Sequence, residues 1–249
     1  MILKNLFDYL LAFLLITILA IPTVIILIFV YKQDFNNPIY ISKRVKKNNE
    51  IFSLLKIRSM KISNEKNVIT STSYNDPRIS KIGYAIRRYK IDEIPQLINI
   101  VKNEMSFVGP RPNVFEEVNL YTDQEKKLLN VKPGITDYAS IIFSDESEIL
   151  KNSTNPNLDY NLLIRPWKSL IGIYYVENRN FFMDIEILFL TFFSLLNKDF
   201  TTSYISKKLL KHDFETYSKL FNPNRVLKPL PPPGSTKLVS QNDLDAVYN

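Results

Sequence analysis

Charged residues are missing from Tyr9 to Tyr31, a run of 23 positions. A straight helix of that length measures about 35 Å, enough to cross a bilayer. The rest of the chain alternates on shorter periods. Ile39 to Val45 and Ile51 to Ile57 read as two strands joined by the polar turn Lys46-Lys47-Asn48-Asn49. Residues 61 to 78 form a polar loop. Ile79, Ile82, Ala85 and Ile86 then recur at helical spacing over 79–89, and 94–103 reads as a second helix. An acidic-then-basic pattern predicts one helix over 114–129, stopped by Lys132-Pro133-Gly134, with a short strand within 135–143. Phe181 to Leu196 is apolar again, with Asp184 and Glu186 near its start. It reads either as a helix in the membrane interface or against the anchor, or as an ordinary buried helix. From about 198 the chain turns polar. After Asn222 it is proline-rich and aperiodic, so the tail is expected to be extended or disordered unless a partner holds it.

The apolar run is too long for a signal-peptide core, and no clear small-x-small cleavage site follows it, so an uncleaved N-terminal anchor is expected. Pro22 near its middle leaves two arrangements open. A kinked single span keeps the backbone paired in lipid. A re-entrant helix that enters and leaves on one side fits the positive charge on both flanks: Lys4 before the run, and Lys32, Lys43, Arg44, Lys46 and Lys47 after it. Either way the following domain is expected on the cytoplasmic side.

Composition removes many mechanisms. The chain has no cysteine and one histidine, His212, which lies in a lysine-rich stretch and reads as a solvated surface residue. Thiolate chemistry and cysteine-based zinc sites are excluded, so acid–base and nucleophilic work falls to carboxylates. With five glycines, neither a GxGxxG loop nor a Walker loop can be written. The net charge of +7 points to an anionic partner without naming it.

Two segments concentrate candidate chemistry. Lys90-Ile91-Asp92-Glu93-Ile94-Pro95-Gln96-Leu97 sets adjacent carboxylates at a helix start, with a proline suited to the first turn. Ser106-Phe107-Val108-Gly109-Pro110-Arg111-Pro112 holds a guanidinium between two φ-locked prolines. A positioned carboxylate and a positioned arginine suit work on phosphate. Near a helix N-terminus and Arg87-Arg88, Asp92 is expected to stay ionised. Asp-Glu before a proline would alone mean only helix capping.

Taken in order, these motifs resemble the monotopic phosphoglycosyl transferases, the bacterial initiating sugar transferases. The resemblance covers about residues 3–197. It runs through Lys4-Asn5-Leu6-Phe7-Asp8, Lys56-Ile57-Arg58-Ser59-Met60, Asp76-Pro77-Arg78-Ile79 with Lys81-Ile82-Gly83, and the two segments above. It continues through Lys132-Pro133-Gly134-Ile135-Thr136 and Tyr175-Val176-Glu177-Asn178-Arg179 with Asp184. The resemblance implies transfer of a sugar-1-phosphate from a UDP-sugar to polyprenyl phosphate, giving polyprenyl-diphosphate-sugar and UMP. It implies Asp92 as a nucleophile that carries the phosphosugar, Glu93 as its carboxylate partner, and Mg²⁺ with Asp92 as ligand. Lys56, Arg58, Arg78, Arg87, Gln96, Arg111 and Asp184 are the candidate substrate-binding residues. A re-entrant anchor with Lys4, Asp8 and Pro22 as its matching features is also implied, in the bacterial inner membrane with the catalytic domain on the cytoplasmic face.

The expected fold is α+β: a membrane anchor over 1–32 broken at Pro22, a small cytosolic α/β catalytic domain over 33–200 with short strands and interfacial amphipathic helices, and a polar, Pro-rich tail over 201–249. The chain departs from the pattern in three places. Ile21-Pro22 replaces the commoner Ser-Pro, Lys46 replaces a glycine, and Asp137-Tyr138-Ala139-Ser140 replaces Gly-Trp-Ala-Gln, so the sugar is not legible. Two other functions compete: a membrane-tethered basic module for anionic lipid or nucleic acid, and an inactive assembly scaffold. No nucleic-acid-binding pattern is present. A homodimer is compatible with the chain, although no feature demands one.

Overall fold

A computed structural model describes residues 2–61, 78–222 and 226–248; most of the polar loop expected over 61–78 lies outside them. The apolar run forms α1 (Ile2–Lys32), a single helix with Pro22 inside it. The break expected at Pro22 is therefore not an interruption of the helix. A proline removes one N–H donor and its ring crowds the preceding turn, which bends a helix while the flanking turns continue on either side. Among the described residues α1 is the one helix long and apolar enough to cross a membrane. Most of its apolar side chains, such as Phe13 and Ile21, are exposed. Both ends of α1 nevertheless touch the rest of the fold. Near its start, Lys4 Nζ donates to Asp184 Oδ2 (2.7 Å) and Ser106 Oγ donates to Asp8 Oδ2 (2.8 Å). Near its end, Val30 packs with Ile57 and Ile86.

β1 (Ile39–Val45) and β2 (Ile51–Ile57) pair antiparallel from Ile39↔Ile57 to Val45↔Ile51. Asn48 and Asn49 close the hairpin at φ of 60° and 62°, a left-handed geometry that asparagine tolerates better than most residues. α2 (Lys81–Arg88) starts at Ser80, whose side chain accepts from Gly83 N–H, and α3 (Gln96–Val101) packs on α1. β3 (Ser106–Val108) runs parallel to β4 (Gly134–Thr136). The two strands meet so closely that a Cβ on Gly134 would lie 2.1 Å from Gly109 N, so only glycine fits.

Residues 114–129 are not one helix. α4 (Phe115–Asn119) stops, and a 3-10 segment Glu125–Asn130 begins after a new cap. Glu125 N–H donates to Thr122 Oγ1 (3.2 Å) and Thr122 N–H to Glu125 Oε2 (3.0 Å), a reciprocal capping box. The Thr-x-x-Glu signal is in the sequence, but the longer amphipathic pattern hides it. The strand expected within 135–143 is only β4. Asp137 then caps α5 (Tyr138–Ile142) by accepting from Ser140 N–H (2.6 Å).

α6 (Glu146–Ile149), α7 (Pro156–Asp159) and a π-helical segment Tyr160–Ile164 lead into α8 (Arg165–Asn178) and α9 (Phe181–Ser194). α9 lies beside the anchor, with the Phe181 ring edge-on to Phe7 at 5.6 Å. Its Phe182, Phe189, Phe192 and Phe193 are exposed, as an interfacial helix requires. The polar region after 198 is more ordered than its composition implies. α10 (Lys198–His212) and α11 (Phe214–Leu220) follow, so the boundary expected at 200 falls inside a helix. Ile205, Leu209, Tyr217 and Leu220 join the main core. Lys208 Nζ donates to Glu186 Oε2 (2.6 Å) and to Tyr138 Oη (2.9 Å), tying α10 to α9 and α5. His212 is exposed, its ring edge-on to Tyr174. After an extended run, α12 (Gln241–Tyr248) ends the described chain.

Candidate active site

A cleft of about 1940 Å³ opens beside the 3-10 turn Ile91–Glu93. That exceeds the roughly 300–1,000 Å³ of a pocket for one small ligand. Three segments bring charge to it: β2 with Lys56, the turn with Asp92 and Glu93, and the loop after β3 with Arg111. Lys90 enters the turn at φ 57°, a left-handed conformation costly for a lysine, and this sets where both carboxylates emerge.

Glu93 is clamped. Arg111 Nη2 donates to Glu93 Oε1 at 2.6 Å and Nη1 to Oε2 at 3.2 Å, a bidentate pair. Arg111 Nη1 also reaches Ile135 O at 3.1 Å, which ties the guanidinium to β4. Lys56 Nζ adds a bond to Glu93 Oε1 at 3.3 Å. Asp92 is treated differently. Its nearest cation is Lys56, 3.8 Å from Oδ2, and among the described residues its carboxylate accepts no hydrogen bond.

These surroundings drive the neighbouring carboxyls apart. Burial pushes Asp92 above its usual range, Lys56 only partly opposes this, and the Glu93 charge adds to the rise. The rise runs against the downward pull expected from the helix N-terminus and the arginines, because desolvation outweighs them. Burial also acts on Glu93, but attraction to Arg111 and Lys56 overcomes it and holds that carboxyl far below its usual value. Lys56 and Lys90 are both pushed down by burial, against the pull of Glu93. One unclamped carboxylate, shifted upward, thus stands beside one clamped carboxylate, shifted downward.

The other expected residues divide. Arg78, Arg87 and Gln96 reach the cleft with Lys56 and Arg111. Gln96 is 1% exposed, and its Nε2 has no partner among the described residues, leaving a buried donor for a bound group. Arg58 borders the cleft, but its guanidinium grips Asp34 at 2.5 and 2.6 Å and Asn37 O at 2.8 Å. These bonds hold the Asp34 carboxyl at about 2. Arg58 therefore secures the turn after α1, and Lys56 is the cation turned to the carboxylates. Asp184 is outside the cleft. It is buried between Lys4 and Tyr175, whose hydroxyl donates to Oδ1 at 2.6 Å, and so joins the anchor to the domain. Lys4 and Asp8 make the contacts described above. Sequence reasoning missed Glu117 and Asp137, two buried carboxyls at the cleft that desolvation pushes upward, and also Lys168. Asp137 carried a readable Asp-x-x-Ser cap; Glu117 and Lys168 carried no distinguishing signal.

The sequence model of the family described as bacterial sugar transferase matches residues 1–198. An uncharacterized sugar transferase of Haemophilus influenzae is 35% identical over 214 residues, 80% of this chain and 42% of that protein. The undecaprenyl-phosphate galactose phosphotransferase of Salmonella typhimurium is 31% identical over 212 residues, 79% of this chain and 41% of that protein. The uncharacterized sugar transferase EpsL of Bacillus subtilis is 34% identical over 194 residues, 77% of this chain and 86% of that protein. The chain thus spans less than half the length of the first two relatives and most of the third. Together with the ordered motifs, these matches establish that the chain belongs to the bacterial sugar transferase family.

Proposed function

We propose that this protein transfers a sugar-1-phosphate from a UDP-sugar to polyprenyl phosphate, in the first membrane step of bacterial glycan assembly. The observation that carries the reading is the contrast between Asp92, which lines the cleft and accepts no hydrogen bond among the described residues, and Glu93, locked between Arg111 and Lys56. An Asp92 carboxylate oxygen attacks the β-phosphorus of the donor, the bond to the bridging oxygen breaks, and UMP leaves. A phosphate oxygen of the polyprenyl phosphate then attacks the same phosphorus, forming the diphosphate and freeing Asp92. Glu93 holds Arg111 in register. Of the five guanidinium N–H groups, three are used within the protein, on Glu93 and Ile135. The other two have no partner among the described residues and are in reach of phosphoryl oxygens. Arg87, Arg78 and the Gln96 amide are further candidates to hold the diphosphate.

Among the described residues no three carboxylate or histidine groups converge on one point. A single open carboxylate fits Mg²⁺, which is commonly held by one or two carboxylates with phosphate oxygens and water. Asp92 would hold the ion, which when bound offsets the charge of the diphosphate and of departing UMP. The anchor reading rests on the return of both ends of α1 to the same domain. A monotopic, re-entrant seat accounts for that better than a span, and the positive charge on both flanks of the apolar run supports a cleft on the cytoplasmic face of the inner membrane. In this reading the catalytic unit takes in α10 and α11 as well.

The test is UMP release by detergent-purified protein with Mg²⁺, undecaprenyl phosphate and a panel of UDP-sugars. Release with one sugar, lost in Asp92→Asn and in EDTA, is expected. Full turnover by Asp92→Asn would refute the proposal. Salt-sensitive vesicle binding without turnover would favour the basic-module alternative.

A further inference from the structure

The family match ends at residue 198, but the chain does not leave the domain there. Its extended run is pinned at successive points. Leu230 N–H donates to Leu162 O (3.0 Å), and Thr122 Oγ1 donates to the Pro233 carbonyl. Gly234 then turns at φ 81° against Gln124, a conformation that favours glycine. α12 starts with a reciprocal cap: Ser240 N–H donates to Asp243 Oδ2 (2.8 Å), and Asp243 N–H to Ser240 Oγ (3.3 Å). An eight-residue helix is not stable alone in water, so its packing face must hold it. That face carries Gln241, Leu244, Val247 and Tyr248 at helical spacing. Asn155 Nδ2 donates to Gln241 Oε1 (2.6 Å), and Leu244 is 2% exposed with α12 packed on α4. The face ends in Val247 and Tyr248, which line the same cleft as Asp92, Glu93 and Arg111.

We propose that α12 is a wall of the donor site and that Tyr248 is a donor-binding residue whose ring stacks on the nucleobase. This rests on the transferase reading above. α12 packs on α4, and α4 packs on β1, whereas the membrane helix α1 packs on α3 and β3. A lipid acceptor arrives from the side of α1, so the wall formed by α12 faces the water-soluble substrate. Within a nucleotide-sugar the diphosphate seeks cations, which the Asp92 end of the cleft supplies, and the sugar seeks hydrogen-bonding groups. Only the base offers a flat π face for which an aromatic ring adds affinity without charge. Residues beyond the matched family region would then set how tightly the nucleotide is held.

The experiment titrates UDP, and separately pyrophosphate, into the full-length protein in detergent by calorimetry. Tyr248→Ala is expected to weaken UDP about tenfold, Tyr248→Phe to stay within about twofold, and pyrophosphate to bind all three proteins alike. Leu244→Asp, which undocks α12 without altering a cleft residue, should reproduce the Tyr248→Ala loss. Unchanged UDP affinity in Tyr248→Ala overturns the inference, as does an equal loss for pyrophosphate. Tyr84 of α2 is another tyrosine lining the cleft, and a loss seen in Tyr84→Ala and not at Tyr248 likewise overturns the inference. Failure of the wild-type protein to bind UDP would instead overturn the transferase reading.

Discussion

Replacing Glu93 by glutamine tests whether its role is to position cations and to tune Asp92. Glu93 accepts from Arg111 at 2.6 and 3.2 Å and from Lys56 at 3.3 Å. Glutamine keeps one acceptor oxygen and no charge, so about two of these three charge-assisted bonds weaken, each worth roughly 1.5–3 kcal/mol. Allowing for water in an open cleft, the expected loss is about 2–4 kcal/mol of transition-state stabilisation, or about 30- to 900-fold in kcat/KM. The pH profile supplies the sharper test. In the proposed mechanism Asp92 must be ionised to attack, and the Glu93 charge contributes to its raised pKa. Removing that charge, and leaving Arg111 and Lys56 unpaired beside Asp92, both favour the carboxylate. The acid limb of kcat/KM should therefore move to lower pH even as the plateau falls. The assay is initial-rate UMP release across pH, with thermal unfolding as the control for folding. An acid limb that stays in place or moves upward, in a folded variant, would show that the two carboxylates do not interact as described.

Three further outcomes follow from the geometry. Lys90→Gly relieves the left-handed strain at φ 57° and should leave stability unchanged or raise it by about 1 kcal/mol. Loss of a cation that favours ionised Asp92 should move the acid limb upward, opposite to Glu93→Gln, and the same rate-versus-pH assay reads it. Arg165→Met strands Glu125, which is fully buried and 2.7 Å from Arg165 Nη2. Thermal unfolding should show a loss of about 3–5 kcal/mol, with much of it recovered when Glu125→Leu is added; equal losses in the single and double variants would refute the buried pair. Gly134→Ala forces a Cβ to 2.1 Å from Gly109 N, so little folded protein is expected, and a normal yield and melting temperature would contradict the β3–β4 pairing.

What could be read from the chain depended on how local each signal was. The hairpin, with its two left-handed asparagines, is specified within about twenty residues, and so are α2 and the Asp92-Glu93 turn. The single helix expected over 114–129 failed because its amphipathic pattern overrode the local Thr122-x-x-Glu125 cap, whose glutamate is needed in the interior by Arg165, forty residues away. The direction of the Asp92 shift was unreadable for a similar reason: desolvation depends on what the fold packs around a carboxyl, whereas sequence shows only its neighbours. Arg58 and Asp184 looked like ligand-binding residues because charge was visible and partners were not. α10 looked polar because its buried side consists of few residues, Ile205 and Leu209 among them, whose partners come from distant helices. Tyr248 reaches the cleft only because the preceding strap is pinned to residues 122–124 and 162.

The segments that bring Lys56, Arg87, Asp92, Glu93 and Arg111 to the cleft are each attached directly to a contact with the anchor. Lys56 precedes Ile57, and Arg87 follows Ile86; both isoleucines pack against Val30 of α1. Asp92 and Glu93 lead through Pro95 into α3, which lies against α1. Arg111 follows β3, where Ser106 is bonded to Asp8 and the Val108 carbonyl accepts from Lys4 Nζ at 3.2 Å. Among the described residues the contacts that seat α1 also fix the spacing of the cations and carboxylates. The proposed reaction, which joins a water-soluble donor to a lipid acceptor, needs its carboxylate held at a constant depth relative to the lipid phosphate, because a misplacement of about 1 Å can cost on the order of a hundredfold in rate. An anchor integrated at four points supplies that constraint, whereas a tethered domain would have to find the lipid surface anew at each encounter.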